Sequence, residues 1–426
     1  MQGMMFLTIA AATLASYLSA IGAMPEPLKF LPEMLSALVA LYIIVAGTLH
    51  RFQQVSVKYW IAFGALAVLL LCGAIANHVG PGPIVSGMRY YLRAIPFFFL
   101  PAVYDFKDWQ VRQYLRMLSG VCLLQVPIAV YQRHSIMATG HTSNADAVFG
   151  TLMHSGVLSL FLVCALCLLG AATLRGRLSK WAFVILFLLF IIPMSINETK
   201  VTAIVLPLGL LITFILGAPV HNRLGATFAA LVVLAIGGFI FVPVFNYYQA
   251  KSVVPYKIED FFTKKGELTS YLDADARVGS GREAGRVDAI RIPLQQLSRD
   301  PVALALGLGI GEATRSSLGP SFTGAHYGVY AHYSTETSVA TFLLETGVLG
   351  VALILWIHWL IFSDALFVSR NDDGLIGTLA LGSVGSLVVV TAGLFYITIH
   401  VFESLSYLFW FFSGVIAARR ERMLAD

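Results

Sequence analysis

The chain has 426 residues, of which 58% are hydrophobic and only 12% are charged. Because soluble domains carry roughly a quarter charged residues, this composition excludes a soluble protein and indicates a polytopic membrane protein. The formal net charge of +5 is modest, so nothing in the charge balance calls for a nucleic-acid partner.

The sequence predicts an all-α fold with about twelve transmembrane helices and one long loop. A bilayer-spanning helix needs roughly 20 apolar residues. The first stretch is interpreted as a helix rather than a cleaved signal, because no basic region precedes it. Pro96 and Pro101 interrupt the fourth stretch. The predicted helices lie at 4–23, 33–49, 59–76, 90–104, 113–131, 150–173, 181–197, 201–218, 225–247, 335–363, 375–398 and 401–418.

The distribution of basic residues predicts that both termini are cytoplasmic. With the N-terminus inside, the inner loops and tail hold thirteen Lys and Arg residues, as the positive-inside rule requires. The short outer loops hold five, which are Lys29, Arg89, Arg93, Arg133 and Lys200. The chain then divides into helices one to nine (1–247), an extracytoplasmic loop with short helices (248–333), and the last three helices with a tail (334–426).

Between positions 277 and 299, this loop holds five arginines and no lysine. Arg282 to Arg299 is predicted to be helical, and Pro293 either breaks or starts the helix. Arg282 and Arg286 are four residues apart, so one helix face would carry both. Arginine offers a planar fork that meets phosphate oxygens two at a time. The cluster therefore predicts either a pyrophosphate clamp or a solvated loop helix; its members are Arg277, Arg282, Arg286, Arg291 and Arg299.

Two further loop motifs suggest nucleotide chemistry only superficially. The run Gly307-Leu-Gly309-Ile-Gly311 lacks the spacing and the following Lys-Ser/Thr of a phosphate loop. It is better explained by a tight turn that lets the backbone approach a ligand or another helix. Asp273 and Asp275 have the spacing of a carboxylate pair that holds a cation against a diphosphate, but a polar turn is the simpler interpretation.

His332 and Glu336 open the tenth predicted helix four residues apart. If the segment is already helical, they lie on one face and supply a general base and its orienting partner; two polar residues at a helix entrance are the alternative. Glu345 falls inside the helix and is expected to face the bundle interior. Arg89, Arg93, Arg133 and Lys200 lie at outer helix ends, where they either bind lipid phosphate or extend into the interface.

The chain resembles the O-antigen ligase and Wzy-type polysaccharide polymerase superfamily. The long outer loop before the tenth predicted helix is one shared feature. The matching motifs are Gly281-Arg282, Pro301 followed by the glycine run, and Glu345-Thr-Gly347-Val-Leu-Gly350, with weaker matches at Gly150-Thr151 and Glu198-Thr199-Lys200. Ligases of this superfamily carry a histidine at the position of Glu336, so the resemblance favours a polymerase.

This resemblance implies a GT-C-like fold and a metal-independent, inverting glycosyl transfer without a cofactor, at the outer leaflet of the bacterial inner membrane. The donor would be a glycan on undecaprenyl pyrophosphate, and the acceptor the next lipid-linked repeat of an exopolysaccharide, capsule or O-antigen. Glu336 or His332 would be the base. A flippase and a chain-length regulator are candidate partners. The expected substrate-binding residues are Arg282, Arg286, Arg291, Arg89, Arg93, Arg133 and Lys200.

Two other functions stay open at this stage. A ligase would use the same chemistry to move a finished glycan onto lipid A-core. A lipid or glycan transporter would carry repeated halves with paired broken helices near the membrane midplane. The sequence has no such pairing, and its polar residues concentrate on the predicted outer side.

Overall fold

The computed structural model describes residues 1–49, 55–138, 147–197, 199–250, 257–263 and 285–425. These residues form helices and no strand. The helices before the predicted loop are α1 Gln2–Ala20, α2 Leu31–Thr48, α3 Val57–Ala76, α4 Pro81–Leu92, α5 Ile95–Val103, α6 Asp108–Ala138, α7 Ser155–Leu174, α8 Lys180–Ile196, α9 Thr202–Gly217 and α10 Arg223–Gln249. The remaining helices are α11 Ile258–Thr263, α12 Asp288–Leu297, α13 Pro301–Leu306, α14 Tyr327–Ser334, α15 Ser338–Asn371, α16 Leu375–Leu394 and α17 Glu403–Ala425.

The described part of the chain has eight helices that are long and apolar enough to cross a membrane: α1, α2, α3, α6, α7, α10, α15 and α16. Helices α8 and α9 are apolar but shorter. Helix α17 has Glu403 at one end and arginines from Arg419 onward at the other, which leaves a shorter apolar stretch between them. The chain is therefore a polytopic helical membrane protein.

The prediction of one continuous helix over 90–104 is wrong. Helix α4 ends at Leu92 and α5 begins at Ile95, with Arg93 and Ala94 between them. The interruption agrees with Pro96, which has no N–H for the carbonyl four residues earlier and is best accommodated in the first turn of a helix. Pro96 lies in that first turn of α5, whereas Pro101 lies inside it.

Helices α7, α9 and α16 pack on one another at the centre of the bundle. Helix α7 buries residues on all sides, including Val157, Leu158 and Leu160. A helix that is apolar all round belongs in the interior of a bundle. The long helix α15 packs against α3, α16 and α17, and also against the loop helices α12 and α13. It therefore connects the membrane bundle to the predicted outer loop.

The predicted loop contains short helices, as expected, but their bounds differ from the prediction. Helix α12 begins at Asp288 and contains Pro293 in its interior, so Pro293 neither starts nor breaks it. Arg286 lies in the turn before α12. Arg282 lies outside the described residues, so the predicted helix face shared by Arg282 and Arg286 stays a prediction.

Ionic contacts collect near both ends of α15. Regular helix runs from Val348, the residue after the non-helical Gly347, to Asp364 over roughly 24 Å at 1.5 Å per residue. Asp364 is buried and contacts Lys58, the Tyr59 hydroxyl at 2.8 Å and Arg420 at 3.2 Å. The basic residues in ion pairs at this end lie in stretches predicted to be cytoplasmic: Lys58, Lys107, Arg175, Arg419, Arg420 and Arg422. The acidic residues near the other end of α15 belong to the candidate site.

Candidate active site at the start of helix α15

Arg286 and Glu336 form an ion pair between the predicted outer loop and the entrance of α15. The Glu336 side chain is 3% exposed, whereas that of Arg286 is 21% exposed. The guanidinium of Arg286 also lies over the ring of Tyr396, 5.4 Å from its centroid. The structure thus brings together two residues that the sequence singled out 50 positions apart, with the cation on the more accessible side.

A break between two helices positions Glu336. Helix α14 ends at Ser334 and α15 begins at Ser338, where the Thr337 hydroxyl caps the new helix by accepting a hydrogen bond from Ala340 N at 3.0 Å. A cap of this kind satisfies one of the free N–H groups of a helix start. His332 and Glu336 therefore do not belong to one helix, and the predicted shared face is not formed. His332 is exposed, whereas Glu336 is buried.

Ser338 connects this ion pair to the turn between α16 and α17. Its backbone N–H donates to the carbonyl of Ile397 at 3.0 Å, and its hydroxyl lies 2.9 Å from His400 Nδ1. Burial lowers the pKa of His400 to about 3, and the positive charge of nearby Arg93 adds to this shift. His400 is therefore neutral at ordinary pH and acts here as a packing and hydrogen-bonding group.

Arg89 and Arg93 share the carboxylate of Glu33. Arg89 Nε lies 2.7 Å from both oxygens of Glu33, and Arg93 Nη1 lies 2.7 Å from Glu33 and 3.0 Å from Glu403. Two guanidinium groups thus face two carboxylates in a partly buried network. In such a network, each charge offsets part of the free-energy cost of removing the opposite charge from water. Both predicted phosphate ligands have carboxylate partners in this structure.

Among the described residues, three other predicted substrate-binding residues, Arg133, Lys200 and Arg291, make their contacts elsewhere. Arg133 is buried, donates to the Tyr248 carbonyl at 3.2 Å and lies 4.8 Å from the Tyr248 ring centroid. Lys200 is half-buried just before α9. Arg291 is exposed and contacts the buried Asp288 at 2.5 Å on its own helix.

The glycine run 307–311 makes a close contact between the loop and α15. Gly307 and Gly347 have φ of +71° and +65°, a region that only glycine adopts readily. A Cβ on Gly347 would lie 2.3 Å from the Ala305 carbonyl oxygen. The N–H of Leu308 donates to the Leu344 carbonyl at 2.7 Å. The run is a turn against another helix, which confirms one of the two predicted roles.

Glu345 faces the interior, as predicted from its position inside an apolar helix. It is 1% exposed, and its Oε1 accepts hydrogen bonds from Thr314 Oγ1 at 2.6 Å and from Ala313 N at 3.2 Å. Glu345 therefore fixes the segment that follows the glycine run, rather than standing in an open site.

An apolar cleft with a cavity volume of about 80 Å³ lies beside this region, between α3, α4, α5, α15, α16 and α17. Tyr90, Tyr91 and His400 contribute to its lining. A second apolar cleft with a cavity volume of about 70 Å³ shares Val390, Leu405 and Phe409 with the first. The two clefts together offer a largely hydrocarbon surface that starts next to the polar groups around Ser338.

Sequence reasoning did not assign several of these residues to the site. Glu33 and Glu403 both form ion pairs with Arg93. The ring of Tyr396 lies under the guanidinium of Arg286. The signal for Glu33 was present, because a lone carboxylate in an apolar stretch is costly unless a cation meets it. No comparable signal marks Tyr396, since an aromatic residue at a helix end is common. A comparison with protein-family models and with curated proteins finds no match to this chain.

Proposed function

We propose that this chain is a membrane glycosyltransferase of the polysaccharide-polymerase type. It transfers an undecaprenyl-pyrophosphate-linked glycan onto the next lipid-linked repeat unit at the outer leaflet of the bacterial inner membrane. The observation that carries the proposal is the Arg286–Glu336 pair at the entrance of α15, near an apolar cleft. A cation for the diphosphate and a carboxylate for a proton are the two groups that this transfer requires.

The apolar clefts fit the lipid part of such a substrate. A polyprenyl chain is a long flexible hydrocarbon, and its burial is favourable at roughly 25 cal/mol per Å² of apolar surface. The first cleft is lined by His400, which contacts Ser338, two residues from Glu336. A lipid tail in the cleft would therefore bring its diphosphate toward Arg286.

In the proposed reaction, the acceptor hydroxyl oxygen attacks the anomeric carbon of the donor from the face opposite the diphosphate. The new glycosidic bond forms as the bond between the anomeric carbon and the diphosphate oxygen breaks, and the electron pair leaves with undecaprenyl diphosphate. The hydroxyl proton passes to the carboxylate of Glu336. Attack from the opposite face inverts the anomeric configuration. Arg286 stabilises the charge that develops on the leaving group.

The unequal burial of the pair suggests the order of events. The more exposed Arg286 is the first group that an incoming diphosphate meets. When Arg286 donates its hydrogen bonds to the diphosphate instead, the buried carboxylate of Glu336 loses its counter-ion. A carboxylate without a nearby cation accepts a proton more readily. Binding of the donor thus prepares the base.

The experiment uses the purified full chain in proteoliposomes with a lipid-linked repeat unit, and resolves the products by size. We expect a ladder of polymers from the wild type. We expect Glu336→Gln to lower the rate by at least about 100-fold, as loss of a general base does. Arg299→Gln is the matched control, because Arg299 is exposed and lies past the end of α12.

Two outcomes would overturn the proposal. If Glu336→Gln and Arg286→Gln both keep the wild-type ladder, the assigned site is wrong. If the wild type makes no ladder but moves a preformed polymer from undecaprenyl diphosphate onto a lipid A-core acceptor, the chain is a ligase instead.

A further inference from the structure

A second pocket, polar and open, lies on the same side of the molecule as the Arg286–Glu336 pair. Its cavity volume is about 680 Å³. Neither Arg286 nor Glu336 contributes to it, and the reaction described above does not use it. Its polar lining comes from Tyr90, Arg315, Ser316, Ser317, Thr323 and Tyr327.

Two buried carboxylates hold the wall of this pocket in shape. Glu345 accepts hydrogen bonds from Thr314 Oγ1 and from the backbone of the preceding residue. Glu312 is 5% exposed and accepts a hydrogen bond from Ala325 N at 3.0 Å, while His326 Nδ1 lies 3.0 Å from the same oxygen. The segment between these anchors is therefore formed before any ligand arrives, which lowers the entropy cost of binding.

The charge of the pocket is positive. Arg315 is exposed, and within the part of the chain that the structure describes no carboxylate forms an ion pair with it. The lining includes no Asp or Glu. Arg89 reaches the rim, where its Nη1 donates to Ser317 Oγ at 2.7 Å. A pocket lined by one sign of charge concentrates ligands of the opposite sign.

The rest of the lining suits a sugar. Tyrosine combines an apolar ring with a hydroxyl group, and the serine and threonine hydroxyls can both donate and accept hydrogen bonds. Tyr90 is held in place, because the guanidinium groups of Arg89 and Arg93 lie 5.5 Å and 5.4 Å from its ring centroid. Tyr90 also lines the apolar cleft, so the polar pocket and the cleft share a wall.

We propose that this pocket binds an acidic carbohydrate, meaning a sugar that carries a carboxylate or a phosphate. Tyr327 begins α14, and Ser334 ends it roughly 10 Å further along at the helical rise, two positions before Glu336. An oligosaccharide spans that distance. The ligand is therefore a part of the glycan away from the reacting carbon; its assignment to the polymer substrate rests on the proposed function.

Binding of size-matched oligosaccharides to the full chain in nanodiscs tests this inference. The probes are tetragalacturonate, a phosphorylated glucose tetrasaccharide, maltotetraose and inorganic phosphate. We expect at least one acidic tetrasaccharide to bind 10-fold or more tightly than maltotetraose, and Arg315→Gln to abolish that preference. Arg315→Lys should restore much of it, because the charge is kept. Arg299→Gln, which also removes an exposed arginine of the same side, should bind like the wild type.

The outcomes separate the possible errors. Equal binding of acidic and neutral tetrasaccharides, or equal behaviour of Arg315→Gln and Arg299→Gln, overturns the inference. If inorganic phosphate displaces the tetrasaccharide at equal concentration, the pocket is a simple anion site, and the inference is also overturned. The polymer ladder is measured in parallel: a ladder without acidic preference refutes only this inference, whereas acidic preference through Arg315 without a ladder refutes only the proposed polymerase.

Discussion

Removing one partner of the Arg286–Glu336 pair is expected to destabilise the protein more than removing both. Glu336 is 4% exposed, so Arg286→Met leaves a buried carboxylate without its counter-ion. Breaking a buried pair in this way costs about 3–5 kcal/mol. Because 21% of the Arg286 side chain is exposed, solvent screens part of that cost, and we expect about 3 kcal/mol.

The double variant Arg286→Met/Glu336→Gln removes both charges and is expected to lose only about 1 kcal/mol, since a buried ion pair and neutral groups of similar size are often equally stable. The remaining loss comes from the contact between Arg286 and the Tyr396 ring, which is worth roughly 0.5–1 kcal/mol. The coupling between the two positions is then about 2 kcal/mol or more, within the range measured for contacting residues.

The assay is reversible unfolding of the wild type, both single variants and the double variant in mixed detergent micelles, followed by tryptophan fluorescence. The four free energies of unfolding form a double-mutant cycle. The reasoning is refuted if the single losses simply add in the double variant. That result would mean that the two side chains do not stabilise each other.

Three further perturbations test other parts of the structure. The pKa of His400 is lowered to about 3 in the folded protein. As the pH falls below 6.5, His400 therefore takes up a proton in the unfolded chain but not in the folded one. We therefore expect the wild type to lose about 2 kcal/mol between pH 6.5 and pH 5 relative to His400→Gln. Gly347→Ala should cost at least about 2 kcal/mol, because its φ is positive and the added carbon meets the Ala305 carbonyl. Asp364→Asn should cost about 3 kcal/mol, because it leaves two cations around a buried neutral group.

Each of these perturbations has a control that differs in one respect. His332→Gln changes an exposed histidine and should leave the acid sensitivity unchanged. Gly238→Ala places a carbon where nothing lies within 4 Å in a regular helix, so it should be neutral or stabilising. Asp373→Asn removes a carboxylate that is 96% exposed and should change thermal stability within error. If a control variant and its test variant change the measured stability equally, the corresponding argument is contradicted.

Composition and the length of the apolar stretches predicted a polytopic helical membrane protein, because each membrane helix depends mainly on its own residues. In a bilayer the backbone must satisfy its hydrogen bonds within the segment, so a long apolar stretch such as Ser155–Leu174 is identified without knowledge of its neighbours. The same local reasoning failed at 90–104, where two short helices meet at Arg93. Apolar content alone does not show where a helix is interrupted.

The ion pairs could not be assigned in the same way. Arg89, Arg93 and Arg286 are indistinguishable by residue type and by their predicted side of the membrane. Their partners Glu33, Glu403 and Glu336 lie 56, 310 and 50 positions away in the chain. Only the packing of α4 against the turn before α17, and of the loop against α15, decides which arginine meets which carboxylate.

By itself, the sequence determined that the protein is helical and membrane-embedded, that a polar segment precedes the helix containing Glu345, and that Glu336 and the loop arginines were candidates for chemistry. The tertiary structure alone decided that Arg286 is the arginine paired with Glu336, that Arg89 and Arg93 are balanced by carboxylates, and that Arg315 faces an open pocket. The physical reason is that a helix forms from interactions between near neighbours, whereas desolvation and pairing of a charge depend on groups that the chain brings together only when it folds.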